Sequence, residues 1–238
     1  MTSERPSERR SAARTSVVWD ALLPALDGAA DVLDIGGGTG GFAVRVAEQG
    51  HRVTVVDPSP DALAALARRA REVGVEVTGV QGDLSTLAEV TGSASVDAVL
   101  CHGVLEVVDD PAAGLAAIRE VLRPGGTLSL LVAQRHAAVV ARAMAGHFAQ
   151  ARAMLDDPSA GGGRPGHRFT EDELRTLLAG AGFEVATVHG VRVFADLVPG
   201  SLLDLEPGAT AALVELERSV AERSEFRPLA TQLHVLAR

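Results

Sequence analysis

Apolar positions along this chain fall into two alternating rhythms. Short unbroken apolar runs occur at DVLDI (31–35), RVTVVD (52–57), VEVTGVQGD (75–83), SVDAVLCHG (95–103) and GTLSLLVA (126–133). Runs of this length read as strands buried on both faces. Between them, apolar residues recur at helical spacing. Phe42, Val44, Val46 and Ala47 give an apolar face between Gly40 and Gly50, and a second helix opens at Pro58-Ser59-Pro60-Asp61 and runs to about Val73. A third spans Pro111 to Leu122 and stops at Arg123-Pro124-Gly125-Gly126. The alternation implies a parallel sheet with helices on both faces.

The rhythm predicts a helix over 4–27 ahead of the first strand and breaks after the fifth. A single helix at about 136–155 is expected, then the Gly/Pro-rich stretch DDPSAGGGRPGH (156–167), expected to be mobile. Thr170-x-x-Glu173 is a capping-box pattern ahead of an apolar helix. FEVATVHGVRVFADL (183–197) reads as a strand with an extension, 207–223 as a helix and LHVLAR (233–238) as a last strand. The pattern resumes after 134–169, so that segment is read as an insert in one domain covering 1–238.

The loop after the first strand, IGGGTGG, excludes side chains from its backbone. A strand, a glycine turn and a helix in that order cradle a nucleoside cofactor. Gly36-x-Gly38-x-x-Gly41 fits the dinucleotide pattern, while Asp34-x-Gly36-x-Gly38-x-Gly40 fits the pattern for S-adenosylmethionine (SAM). Asp57, ending the second strand with Pro58 behind it, suits ribose hydroxyls in either case. Asp34 separates the two, because a carboxylate beside the loop repels a pyrophosphate but suits the cationic SAM. Asp83 and Leu84 end the third strand as an acid and an apolar cover for an adenine ring.

The order LEVVDDP, LRPGG, FTEDELRTLLAGAGFEV resembles the class I SAM-dependent methyltransferases over residues 31–190. That resemblance implies a Rossmann-like, doubly wound, mostly parallel seven-stranded α/β sheet with an antiparallel last strand. From about Arg14 to Arg238, VLEVVDDP, LRPGGTLSLLVA, MAGHF, HGVRVFADL and LHVLAR are similar to the bacterial tRNA 5-carboxymethoxyuridine methyltransferases. The resemblance implies SAM contacts at Arg14, Gly36, Gly37, Asp57, Asp83 or its neighbour, and His102. It implies methyl transfer to the carboxylate of a modified wobble uridine, with a tRNA anticodon loop as partner and a cytoplasmic location. The N-terminal helix would then be a lid that brings Arg14 to the cofactor carboxylate.

The chain departs from that family's aromatic and basic pattern at Ala195, Leu197 and Thr231-Gln232. It has no tyrosine, 3% aromatic residues and a net charge of −9, which suits a small polar acceptor better than a phosphate backbone. Gln134, His136 and Arg192 are the candidate acceptor contacts, with Arg192 suited to an anionic acceptor. A carboxylate acceptor needs no general base; for a phenol, alcohol or amine, His102, His136 or His189 would serve. The single cysteine, Cys101, sits in an apolar run and reads as a buried structural thiol. The sequence shows no metal-ligand spacing and no membrane-length apolar run, and its Arg-containing start, with no apolar run behind it, is not expected to act as a signal peptide. Two other classes stay open at this point: an NAD(P)-dependent oxidoreductase, and a SAM-binding scaffold without catalysis.

Overall fold

A computed structural model of the chain describes residues 6–157, 166–203 and 207–238, without the side chains of 6–14, 156 and 200. The helices are α1 (Pro6–Ala25), α2 (Ala43–Glu48), α3 (Pro60–Val73), α4 (Leu87–Thr91), α5 (Pro111–Val121), α6 (Arg135–Met144), α7 (Phe148–Asp156), α8 (Glu171–Gly180), α9 (Gly200–Leu203) and α10 (Ala209–Val220). The strands are β1 (Asp31–Ile35), β2 (Arg52–Asp57), β3 (Val77–Gln81), β4 (Val96–His102), β5 (Leu122–Ala133), β6 (Val185–Val191) and β7 (Gln232–Ala237). They form one seven-stranded sheet in the order β3-β2-β1-β4-β5-β7-β6. Pairings among β1 to β5 are parallel. Glu184 and Arg238 exchange backbone bonds of 2.7 and 2.9 Å, the reciprocal pattern of an antiparallel last strand.

The chain divides into two compact units. The first comprises Ala25–Leu131, Glu173–Ala186 and Val235–Arg238. Its central strands carry Leu33, Val55, Val56, Val99 and Leu100 with no exposed surface, as expected for strands covered on both faces. α3 is delimited by its own sequence: Ser59 accepts from the Ala62 N–H, Pro60 takes the first turn, and Gly74 closes it in the left-handed region at φ 80°. Arg123 bridges Asp31 (3.0 Å) and Asp97 (2.7 Å) near the starts of β1 and β4. Asp97 also accepts the N–H groups of Ala30 and Asp31, and the Asp31 bond is the main reason its carboxyl is held down to about 2.

The Arg123–Gly126 segment is a bulge inside β5, not a turn before it. Val96 pairs with Leu122 and Ala98 with Thr127, so the added residues loop out within one strand. A side chain at Gly126 would come within 2.9 Å of the Arg123 and Asp97 carbonyl oxygens.

The second unit comprises Met1–Pro24, Val132–Asp172 and Thr187–His234. The single helix expected at 136–155 is two helices, α6 and α7, divided at Gly146, whose φ is 78°. β6 ends at Val191, and the expected strand extension is a turn (192–198). Most of the stretch expected to be mobile at 156–167, residues 158–165, lies outside the described residues.

Candidate functional site

The first unit contains a cavity of 810 Å³ at the carboxyl ends of β1, β2 and β3, where open α/β sheets take their ligands. Its floor is the glycine loop. Gly36 donates to the Val56 carbonyl at 2.7 Å and Gly40 to that of Gly37 at 2.9 Å, a tight turn with φ values of 65° and 80°. An added Cβ at Gly37 would meet the Asp34 carboxylate at 2.5 Å and Val55 at 3.0 Å; at Gly40 it would overlap Leu66. The loop therefore lies pressed on its own supports and leaves backbone facing the cavity.

Asp57 ties this loop to the next. One carboxylate oxygen accepts from Gly38 N–H (2.9 Å) and the other from Ser59 N–H (2.9 Å). Each oxygen keeps acceptor capacity toward the cavity, which Asp57 and Pro58 line. Asp83 caps the short turn after β3. Its carboxylate accepts from Ser85 Oγ (2.6 Å) and Ser85 N–H (2.8 Å), and these bonds, the hydroxyl's first, lower its pKa. Leu84 adds an apolar wall, backed by Gly114, where a Cβ would press on it at 3.1 Å.

Of the predicted cofactor residues, Gly36, Asp57, Pro58, Asp83 and Leu84 line the cavity. Asp34, Gly37, Gly38 and Gly40 do not; they brace the loop, and Asp34 lies buried beside Gly37. His102 is also outside the lining. Its Nε2 lies 2.9 Å from Ser129 Oγ and its ring meets Phe42 edge-on at 4.9 Å. Arg14 falls in α1, but its side chain lies outside the described residues. The remaining wall, Val104, Val107, Asp109 and Asp110, was not read from sequence as part of the site. Its signal was present in LEVVDDP: Asp110 caps α5 through Ala112 and Ala113 N–H at 3.0 Å, and Pro111 follows at the first turn.

Four carboxylates and no basic residue line this cavity among the described residues. A pyrophosphate would be repelled here, whereas a sulfonium with an α-ammonium is attracted. The residues present fit SAM and do not fit a dinucleotide. Cys101 beneath the site is fully buried, and burial, then the Glu106 and Asp34 carboxylates, push its thiol up to about 12.

The candidate acceptor residues belong to the second unit. Gln134 is consumed structurally: its Oε1 accepts from Ala137 N–H (2.8 Å), and its Nε2 donates to the Arg227 and Pro228 carbonyls (3.1 and 3.2 Å). That buried, satisfied amide departs from its expected role as an acceptor contact. His136 is exposed on α6. Arg192, at φ 58°, is paired with Asp196 at 2.8 Å. His189 is buried against His234, 3.7 Å from Glu222; burial lowers its pKa, so the ring is neutral at pH 7. Among the described residues there is no group of three or more metal-ligating side chains and no helix long and apolar enough to cross a membrane.

The fold and this acid-lined cavity define the class: the chain belongs to the class I SAM-dependent methyltransferases. Residues 32–126 match the family described as "Methyltransferase domain". Within the class, the chain is 32% identical over 213 residues to the tRNA 5-carboxymethoxyuridine methyltransferase of Escherichia coli (strain K12), covering 87% of this chain and 79% of that protein. It is also 32% identical over 193 residues to the ubiquinone biosynthesis O-methyltransferase of Xanthomonas axonopodis pv. citri, covering 79% and 75%. A solved relative is the Burkholderia thailandensis 1,6-didemethyltoxoflavin-N1-methyltransferase with bound S-adenosylhomocysteine. It is 27% identical, with TM-score 0.57, over 96% of this chain and 78% of that one. The fold also matches the Synechocystis magnesium protoporphyrin IX methyltransferase, at TM-score 0.65 and 17% identity over 100% and 88%. The chain is a SAM-dependent methyltransferase.

Proposed function

We propose that this methyltransferase acts on an oxygen of a small, largely uncharged acceptor. One observation supports this reading: three guanidinium groups of its second unit are paired with carboxylates of the same unit. Arg192 is held by Asp196 at 2.8 Å, Arg227 by Glu171 at 2.6 Å and Arg218 by Asp20 at 2.7 Å. An anionic acceptor or an RNA phosphate would have to displace these carboxylates, at a cost its own pairing only returns.

In the cofactor cavity, Asp57 accepts the ribose hydroxyls, Asp83 receives the adenine amine and Leu84 covers the ring. Gly36 keeps backbone at the floor, while Asp34, Gly37, Gly38 and Gly40 hold it there. The cofactor supplies a methyl group already activated by its sulfonium charge. The chain's own task is alignment of the acceptor, from which proximity and orientation give most of the rate.

The second reading is methylation of tRNA bearing 5-carboxymethoxyuridine, favoured by the 32% identity over 87% of the chain. One experiment tests both. Purified protein is incubated with methyl-labelled SAM and either modified or unmodified tRNA. Label entering only the modified tRNA overturns the small-acceptor reading. No label in RNA, from protein whose SAM binding is verified by calorimetry, supports it.

A further inference from the structure

The second unit holds a separate cavity of 320 Å³. One wall is a single stripe of α6: Ala137, Ala141 and Ala145 recur four residues apart, with Val140 and Met144 beside them. The short alanine side chains leave this wall shallow. Leu197 and Leu229 form the facing wall. Met144, at 69% exposure, is a large apolar side chain left in water at the mouth.

The polar end is as specific as the apolar walls. Among the described residues Asp196 is the only ionisable one of the lining, and its carboxylate is compensated by Arg192 at 2.8 Å and by the Thr231 hydroxyl at 2.7 Å. The Thr231 oxygen donates its proton to Asp196 and keeps lone pairs for a donor from the cavity. An anion entering here would meet Asp196, and a cation would compete with Arg192. A hydroxyl group meets neither obstacle and finds an acceptor. The volume is at the small end for ligand sites, so the occupant is compact.

We propose that this cavity receives the apolar body of a compact, uncharged, hydroxyl-bearing molecule, with its O–H donated to Thr231 and its hydrocarbon against the α6 stripe. The proposal is argued from the second unit alone and goes beyond the functional reading above.

The test uses 2-naphthol as the probe, followed by its own fluorescence on the full chain. Saturable binding is expected. Ala141→Leu, an exposed helix position taking a good helix former, should weaken it by about tenfold, the effect of losing roughly one well-packed contact set. Val140→Phe on the same stripe should do likewise, so the test does not depend on one variant folding. Thr231→Val should cost about threefold to tenfold, the range of one neutral hydrogen bond. The anionic analogue 2-naphthoate should bind at least about tenfold more weakly than 2-naphthol. Absence of saturable 2-naphthol binding, equal binding of 2-naphthoate, or unchanged affinity in folded Ala141→Leu and Val140→Phe would each overturn the proposal. SAM binding to the same variants is measured by calorimetry and should not change. Loss of SAM binding in the unaltered chain would instead refute the functional reading, and the naphthol isotherm reports separately from it.

Discussion

Glu217 is the most consequential buried charge outside the cofactor cavity, and replacing it should loosen the turn that carries Asp196 and Leu197. The side chain has no exposed surface. Its Oε2 accepts from Val193 N–H at 2.8 Å, and its Oε1 accepts from Phe194 and Ala195 N–H at 2.8 and 2.7 Å. Bonds to a charged acceptor contribute about 1.5–3 kcal/mol each. Glu217→Gln can keep the two bonds at one oxygen in neutral form, a loss of about 1 kcal/mol each, but turns an amide donor toward Val193 N–H. That third bond is lost outright and leaves a buried N–H unsatisfied, about 2–3 kcal/mol more. Relief from burying a carboxylate returns roughly half of this total, leaving a net destabilisation of about 2–3 kcal/mol. With a urea slope of about 2–3 kcal/mol/M, the unfolding midpoint should fall by about 1 M. Glu217→Ala, which strands all three N–H groups, should fall further. A midpoint for folded Glu217→Gln within about 0.3 M of the unaltered chain would refute the reasoning, since it would mean the three bonds contribute little.

Three further outcomes follow from the first unit. Gly37→Ala places a methyl group 2.5 Å from the Asp34 carboxylate, so the loop must shift, and SAM affinity by calorimetry should drop at least about tenfold; unchanged affinity would mean the loop is not braced there. Asp97 is held at about 2 against an ordinary 3.8, so its stabilising effect is complete above about pH 4 and is lost as pH falls through about 2. The stability gap between the unaltered chain and Asp97→Asn should therefore narrow from pH 5 to pH 2, and a gap constant over that range would count against the assignment. Cys101, buried and pushed up to about 12, should resist a disulfide exchange reagent at pH 8 until urea unfolds the chain; labelling of the folded protein at the rate of a free thiol would contradict its placement.

The strands were legible because a parallel sheet leaves its own trace: continuous apolar runs bounded by glycine, with Asp and Pro at the helix starts. Asp57, Asp83 and Leu84 were legible for the same reason, since they sit at strand ends in fixed order. What the sequence hid was pairing at a distance. Gln134 looked like a free polar group at a strand end, yet its partners are carbonyls at 227 and 228. Arg192 looked like an anion receptor, yet its counter-ion stands four residues on at Asp196. Glu217 carried no signal, because its partners are backbone N–H groups at 193–195 and no side chain marks them. The break at Gly146 was written in the sequence but is one glycine inside a strong helical pattern, which propensity alone tolerates.

Cofactor and acceptor are read from different kinds of observation in this chain. The region matching the methyltransferase family, 32–126, falls within the unit that holds the acid-lined cavity, and its chemistry follows from charge: a cationic ligand among four carboxylates. The two relatives are named for different acceptors, one a tRNA 5-carboxymethoxyuridine methyltransferase and one a ubiquinone biosynthesis O-methyltransferase, at the same 32% identity. Identity at that level therefore cannot rank the acceptors. The acceptor class proposed above rests instead on how the second unit pairs three of its charges. Arg192, Arg218 and Arg227 each end on a carboxylate of the same unit, and the cavity beside Asp196 is walled by alanine, valine, methionine and leucine. A surface built to hold phosphates keeps its guanidiniums available and its stacking residues aromatic. Three guanidiniums of this unit are paired instead, and an uncharged acceptor, the class proposed above, displaces none of those carboxylates.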